Sequence, residues 1–284
     1  MSAPPFVRRT APVLCLLAVT LLLVGSAQPE GPEYTPRPGQ AGKDVIWLPT
    51  ERPVVEKMLD LANVTSRDYV IDLGSGDGRT VIAAARRGAR ALGVEYNPDL
   101  VSLAERNAQQ EGVADRAKFV QGDLFEVDLS QATVITMFLL PDINLRLMPR
   151  ILSLKPGTRI VSNSFDMGDW AADAAESVEG DCPAYCTAYL WLVPARVDGV
   201  WKLPEGELML GQSYQKVSGV LRSASGPLRI SEASLRGDRL TFTAGGTLYA
   251  ARVAGDAMEG TARNGSTTKK WSATRSGELV RVSR

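Results

Sequence analysis

The apolar positions of this chain follow three successive patterns. Residues 11–24 form one continuous apolar run behind Arg8 and Arg9. From about residue 43 to residue 203, short apolar runs alternate with stretches whose apolar residues recur every three or four positions. The runs at 69–73, 91–95, 118–120, 133–138 and 159–162 are strand-like, being short and bounded by turn residues. Between them, Val54, Val55, Met58 and Leu61, then Val81, Ile82 and Ala85, then Val101, Ala104 and Ala108 each mark one face of a helix. Thr50 is predicted to cap the first helix, with Pro53 in its first turn. Gly88 is predicted to end the second helix, and Asn97-Pro98 to start the third. Residues 188–194 and 200–203 are predicted to close the sheet as an antiparallel hairpin. Such alternation predicts an α/β domain around a mainly parallel sheet. From residue 205 the period shortens to two, with strand candidates at 214–220, 228–232, 240–244, 248–253 and 270–274. Gly237-Asp238 and Gly255-Asp256 punctuate them, which predicts a small antiparallel all-β sheet or barrel.

These patterns divide the chain into an N-terminal segment at 1–27, a Pro/Gly-rich linker at 28–42, an α/β domain at 43–204 and a small β domain at 205–284. The first segment has a basic start, a short apolar middle and the small residues Gly25-Ser26-Ala27, the order of a secretory signal. It is shorter than the ~20 residues of a spanning helix, so a cleaved signal is favoured over an uncleaved membrane anchor. Either reading places the body outside the cytoplasm, exported or membrane-anchored, because the positive charge precedes the run and Glu30 and Glu33 follow it.

Composition changes the picture at one point. The chain has 284 residues, 32 basic and 32 acidic side chains, and no histidine. A Ser-His-Asp triad, an imidazole base and a histidine metal ligand are therefore excluded. Three cysteines are too few for a thiolate zinc site, so no metal is expected. Charge is segregated. Residues 205–284 carry 12 Lys/Arg against 7 Asp/Glu, net +5, while residues 28–204 carry 18 against 25, net −7. An acidic body, and a basic tail without interleaved aromatics, give no nucleic-acid-binding signature.

The chemistry is concentrated at the ends of the first strands. Asp72-Leu73-Gly74-Ser75-Gly76-Asp77-Gly78 lies between a strand and a helix, where glycines let the backbone turn sharply and approach a ligand. Glu95 ends the second strand, followed by Tyr96-Asn97, and Asp123-Leu124 follows the third. In an open parallel sheet these carboxyl ends line one crevice. A carboxylate at Glu95 suits a ribose diol, Asp123 suits an exocyclic adenine amine, and Leu124 can pack on the base. A dinucleotide fits poorly. Arg79 stands where its fingerprint needs a third glycine, and Asp72 and Asp77 would face a pyrophosphate. An adenosyl ligand bearing an amino acid and a positive sulfonium fits better, with Asp72 facing its ammonium and the loop amides its carboxylate.

The motif Val-Ile-Asp-Leu-Gly-Ser-Gly-Asp-Gly-Arg, with Glu95 and Asp123-Leu124, resembles the class I S-adenosylmethionine-dependent methyltransferases over about residues 43–204. Leu48-Pro49-Thr50, Glu95-Tyr96-Asn97-Pro98 and Phe138-Leu139-Leu140-Pro141 are similar to those of the membrane-anchored ATP synthase subunit lysine methyltransferases and bacterial proteins of the same cast. The resemblance implies a Rossmann-like seven-stranded sheet, S-adenosyl-L-methionine as cofactor, and protein lysine among the acceptors. No Asn-Pro-Pro-Tyr motif is present, which argues against amide and nucleic-acid base acceptors.

Methyl transfer suits a chain without histidine, since an aligned nucleophile matters more than proton machinery. A lysine acceptor must still lose a proton, and Asp142 and Asp166, after the fourth and fifth strands, are the expected carboxylates. Phe138 and Trp170 are the aromatics positioned to shape an acceptor pocket. The alternative to an enzyme is an exported adaptor that keeps the fold and binds a partner through its basic β domain. Cleavage of the leader removes Cys15 and leaves Cys182 and Cys186, four positions apart. An oxidising compartment favours a bridge between them, two reduced cysteines being the other arrangement.

Overall fold

The computed structural model describes residues 1–2, 34–180 and 182–277. The predicted signal or anchor, apart from its first two residues, and most of the linker before Tyr34 lie outside the described residues.

Five strands, β1 (Tyr69–Leu73), β2 (Arg90–Glu95), β3 (Ala117–Gln121), β4 (Val134–Met137) and β5 (Arg159–Asn163), form a parallel core where the apolar runs predict strands. The central strands β1, β4 and β5 are buried on both faces, whereas the edge strand β3 exposes Lys118, Val120 and Gln121. Val70, Ile71, Leu73, Val134, Ile135, Ile160 and Val161 are all nearly inaccessible, which is why these runs read as continuous rather than alternating. Helix α1 (Arg52–Leu61) precedes β1, and α2 (Arg79–Arg86), α3 (Pro98–Gln110) and α4 (Pro141–Leu152) occupy the β1–β2, β2–β3 and β4–β5 connections. Proline in the first turn of α1, α3 and α4 removes an N–H that a helix start leaves unpaired anyway. Asn97 caps α3 by accepting from the Asp99 amide at 2.9 Å. At α1 the cap position is Glu51 and no side chain caps it. The predicted cap, Thr50, instead offers its carbonyl to Arg79.

Two further strands, β6 (Ala174–Ser177) and β7 (Thr187–Leu192), complete a seven-stranded sheet in the order β3-β2-β1-β4-β5-β7-β6. Strand β7 runs antiparallel to β5 and pairs with β6. The predicted partner, 200–203, belongs elsewhere: β8 (Gly199–Leu203) opens a second sheet. Its Trp201 and Leu203 point into that second core, and this burial decides which sheet it joins.

The second sheet adds β9 (Gly206–Ser213), β10 (Lys216–Ser223), β11 (Gly226–Arg229), β12 (Ser231–Arg236), β13 (Arg239–Ala244), β14 (Thr247–Ala254), β15 (Ala257–Asn264) and β16 (Thr267–Gly277). Every neighbouring pair is antiparallel, in the order β11-β10-β9-β8-β16-β15-β14-β13-β12. Between β11 and β12 the Ile230 amide reaches the Gly219 carbonyl of β10 at 3.1 Å, drawing the two ends of the sheet into a nearly closed barrel. Trp201, Leu208, Leu210, Phe242 and Met258 fill it. The two sheets touch where Ala195 N donates to the Gly237 carbonyl at 2.8 Å and where Trp170 stacks on Tyr214, ring centres 5.9 Å apart.

Candidate active site

The carboxyl ends of β1, β2 and β4 open into a cavity of about 480 Å³. The loop from Gly74 to Asp77 forms its floor, and φ is positive at Gly74, Gly76 and Gly78. Its amides are largely consumed within the protein. Gly74 N and Ser75 N donate to the Val94 carbonyl, Gly76 N to Glu95 Oε2 and Gly78 N to the Ser75 carbonyl, at 2.9–3.0 Å. The loop therefore offers a ligand shape more than donors. Gly78 does not line the cavity. A Cβ there would lie 2.7–2.8 Å from Phe119 and Ala104, so helix packing requires that glycine.

Three carboxylates from successive strand ends line this cavity. Asp72 is buried and accepts from Thr136 Oγ1 at 2.6 Å. Burial pushes its pKa up to about 7, and the neighbouring charges of Glu95 and Asp77 push the same way against the Thr136 bond. Glu95 is fixed by two amides, Gly76 N on one oxygen and Asn97 N on the other at 3.0 Å. Each oxygen keeps a lone pair for another donor. Asp123 accepts from Phe125 N at 2.8 Å, while its second oxygen holds the Lys43 ammonium. That ion pair keeps the Asp123 carboxyl below the usual carboxylate range and raises the Lys43 ammonium above its own. Asp77 also lines the cavity but is bound by its neighbour Arg79, whose Nη1 reaches the Thr50 carbonyl at 2.8 Å.

The remaining wall is apolar, from Val94, Leu100, Leu124, Met137, Leu139 and Ile143. Tyr96, Asn97, Ser75 and Phe138 line it as well. The opposite wall is a strap, residues 40–50, for which the hydrophobic pattern predicts no regular element. Trp47 closes a turn by exchanging backbone bonds with Gly39 and Gln40 at 2.8–2.9 Å. Its indole covers the glycine loop, so a Cβ on Gly76 would come within 2.6 Å of Nε1. Lys43 Nζ sits 5.0 Å from the centre of the Tyr96 ring. The sequence signal for this wall is the apolar run at 45–48 beside Leu48-Pro49-Thr50.

Other expected residues lie apart from the cavity. Asp142, in the first turn of α4, and Asp166, whose Oδ1 accepts from Gly168 N at 3.1 Å, are exposed and do not line it. Trp170 is fully buried between Trp191 and Tyr214 and is core. Cys182 and Cys186 are bridged, with Cα atoms 5.8 Å apart. The described residues contain no cluster of acidic, cysteine or histidine side chains able to hold a metal.

The partners of Asp72 and Glu95 are a hydroxyl and two amides rather than cations, so the donor set selects a positively charged guest and repels a phosphate. A nucleoside with an ammonium and a sulfonium meets that demand, and the apolar wall accommodates its base. Residues 72–174 match the ANTKMT methyltransferase domain. The chain is 43% identical over 152 residues to a protein-lysine N-methyltransferase of Saccharolobus islandicus, covering 52% of this chain and 94% of that protein. It is 39% identical to the human ATP synthase C-subunit lysine N-methyltransferase, covering 45% of this chain and 54% of that protein. Among solved structures, an RNA methyltransferase from Salinibacter ruber bound to S-adenosyl-L-homocysteine is 51% identical, with a TM-score of 0.50, over 53% of this chain and 96% of that one. The chain belongs to the class I S-adenosylmethionine-dependent methyltransferases, related to the archaeal protein-lysine methyltransferases and to those named for the ATP synthase. It is an enzyme rather than an adaptor, and its cofactor is S-adenosyl-L-methionine.

Proposed function

We propose that the enzyme methylates a lysine side chain of a protein. The likeness that carries this reading is to the Saccharolobus islandicus protein-lysine N-methyltransferase, nearly all of whose length the chain covers. When bound, the cofactor supplies an electrophilic methyl group on a positive sulfur. Asp72 receives its ammonium, Glu95 its ribose diol, and Asp123 its adenine amine once Lys43 has let go. Leu124 packs on the base, and Trp47 keeps water off the glycine loop. Phe138 stands on the acceptor side. The attacking amine must be neutral, and Asp142 and Asp166, exposed outside the cavity, are the carboxylates proposed to take its proton. Neither is bound to a cation in the described residues, which leaves both available for that use.

A second reading has one observation in its favour: the Salinibacter ruber neighbour is named an RNA methyltransferase. The net −7 of residues 28–204 opposes it, because binding to nucleic acid depends on neutralising phosphates. We further propose that the seven-stranded sheet with its helices acts as the catalytic body and the nine-stranded sheet, β8 included, as a recognition domain. On the N-terminal pattern, the protein is exported or held at a membrane by its first 27 residues. Tritium-labelled cofactor, offered with a protein extract and with total RNA in parallel, tests the acceptor class. Label recovered as methyl-lysine after acid hydrolysis supports the proposal, and label confined to RNA overturns it.

A further inference from the structure

Outward from the cofactor cavity, Phe138 begins a cluster of three aromatic rings drawn from three separate segments. Phe138 follows β4, Phe165 follows β5, and Tyr185 lies in the loop before β7. The Phe138 and Phe165 rings are stacked, centres 5.9 Å apart with an interplanar angle of 17°. Tyr185 stands edge-on to Phe138 at 5.3 Å and tilted to Phe165 at 5.7 Å. Phe138 is half-buried in the cavity wall, whereas Tyr185 is 44% exposed, so the cluster runs from the cavity to the surface. An exposed tyrosine is ordinary. The backbone beneath this one is not.

Tyr185 has a φ of 60° and Ser164, next to Phe165, a φ of 59°, a region that side chains other than glycine seldom adopt. Surrounding bonds hold both in place. Ser164 N donates to the Thr187 carbonyl at 2.7 Å, tying the loop after β5 to the start of β7. Val178 N donates to the Cys186 carbonyl at 2.8 Å, and the Cys182–Cys186 bridge closes the short ring that carries Tyr185. Asn144 of α4 reaches the Asp166 carbonyl at 3.0 Å, joining the third side. The exposed carboxylates of Asp142 and Asp166 belong to these same segments. A surface with aromatic faces and nearby negative charge suits an amine on an aliphatic stem, since the stem packs on the rings and the cation is drawn to their faces.

We propose that Phe138, Phe165 and Tyr185 are the wall along which the acceptor side chain reaches the methyl group, with the Cys182–Cys186 bridge as the clasp that holds Tyr185 in it. The inference rests on the lysine reading above and goes beyond it by naming the residues that bind the stem. The sequence points to Phe138 but to neither Phe165 nor Tyr185, because nothing in their spacing links them.

The test uses the full chain with its bridge intact and two probes. With Nα-acetyl-lysine amide as acceptor and tritium-labelled cofactor, Tyr185→Ala should raise the acceptor KM by about tenfold. Its calorimetric cofactor affinity should stay unchanged, and Tyr185→Phe should restore KM. The double variant C182S/C186S should shift KM the same way by a smaller factor. In the second measurement, protein saturated with S-adenosyl-L-homocysteine and carrying 13C-labelled tyrosine is titrated with the Nε-trimethyl form of the probe. The Tyr185 resonance should move and the others should not. Turnover with KM indifferent to Tyr185→Ala overturns the wall and leaves lysine methylation standing. A Tyr185 shift without any turnover upholds the wall and counts against lysine as acceptor. Neither turnover nor a shift overturns both.

Discussion

Replacing Asp72 with asparagine separates the cost of burying its charge from the use the enzyme makes of it. The carboxyl is buried, and its pKa is pushed from 3.8 to about 7. A raised pKa means that the folded state holds the proton more tightly than the unfolded chain. The associated stability is therefore full below pH 4 and is lost as pH rises through 7. A roughly thousandfold tighter hold on the proton corresponds to about 4 kcal/mol in the apo-enzyme above pH 7. Asparagine removes that cost and keeps an acceptor for Thr136, but its amide group needs a new partner, which returns ~1–3 kcal/mol. The variant should thus be more stable than the parent by about 2 kcal/mol at pH 8.5, or about 5 °C in Tm for a chain of this size. The advantage should shrink as pH falls from 7 towards 4. Cofactor affinity should move the other way, falling by a factor of about 10–100 with the loss of a charge-assisted bond to the ammonium. Thermal unfolding between pH 4 and 9, paired with calorimetric titration at pH 8.5, reads both quantities. A variant less stable than the parent at pH 8.5, or one that binds the cofactor undiminished, would refute the assignment of Asp72.

Three other substitutions probe the remaining walls. Glu95→Ala should cost about tenfold or more in calorimetric cofactor affinity, since it removes the carboxylate proposed for the ribose and frees the Gly76 and Asn97 amides; unchanged affinity would take Glu95 out of the site. Lys43→Met should tighten binding modestly and weaken its salt dependence, because Asp123 no longer has to release an ammonium first; weaker binding would mean that Lys43 helps to hold the cofactor. Gly76→Ala should cost about 1–2 kcal/mol for its left-handed backbone and displace Trp47, seen as a red shift in fluorescence and a loss of cofactor affinity; an unshifted spectrum with normal affinity would show that the strap tolerates a methyl group there.

The central strands β1, β4 and β5 are legible in the sequence because they are buried on both faces and appear as unbroken apolar runs. Strand β6 is not, since Ala174–Ser177 is a polar, largely exposed edge with no apolar alternation. Strand β8 alternates well, but alternation says that one face is buried and not which core buries it. In the second sheet, β9 and β15 escape the pattern: Gly206–Ser213 and Ala257–Asn264 carry glycine and charge within the strand, and barrel closure supplies what their local sequence lacks. At the site, the strand-end carboxylates are legible because topology alone gathers the ends of neighbouring parallel strands. Lys43, Trp47 and Tyr185 are not. They come from segments without regular structure, where no period relates sequence position to direction in space.

The reading stands or falls on whether this cavity, lined by Asp72, Glu95 and Asp123, holds S-adenosyl-L-methionine. Calorimetric titration of the full chain at pH 8 with that cofactor, and in parallel with NAD, tests it most directly. The account predicts one saturable site for S-adenosyl-L-methionine that Asp72→Asn weakens, and no heat with NAD beyond dilution. Saturable binding of NAD, or none of S-adenosyl-L-methionine, would contradict it.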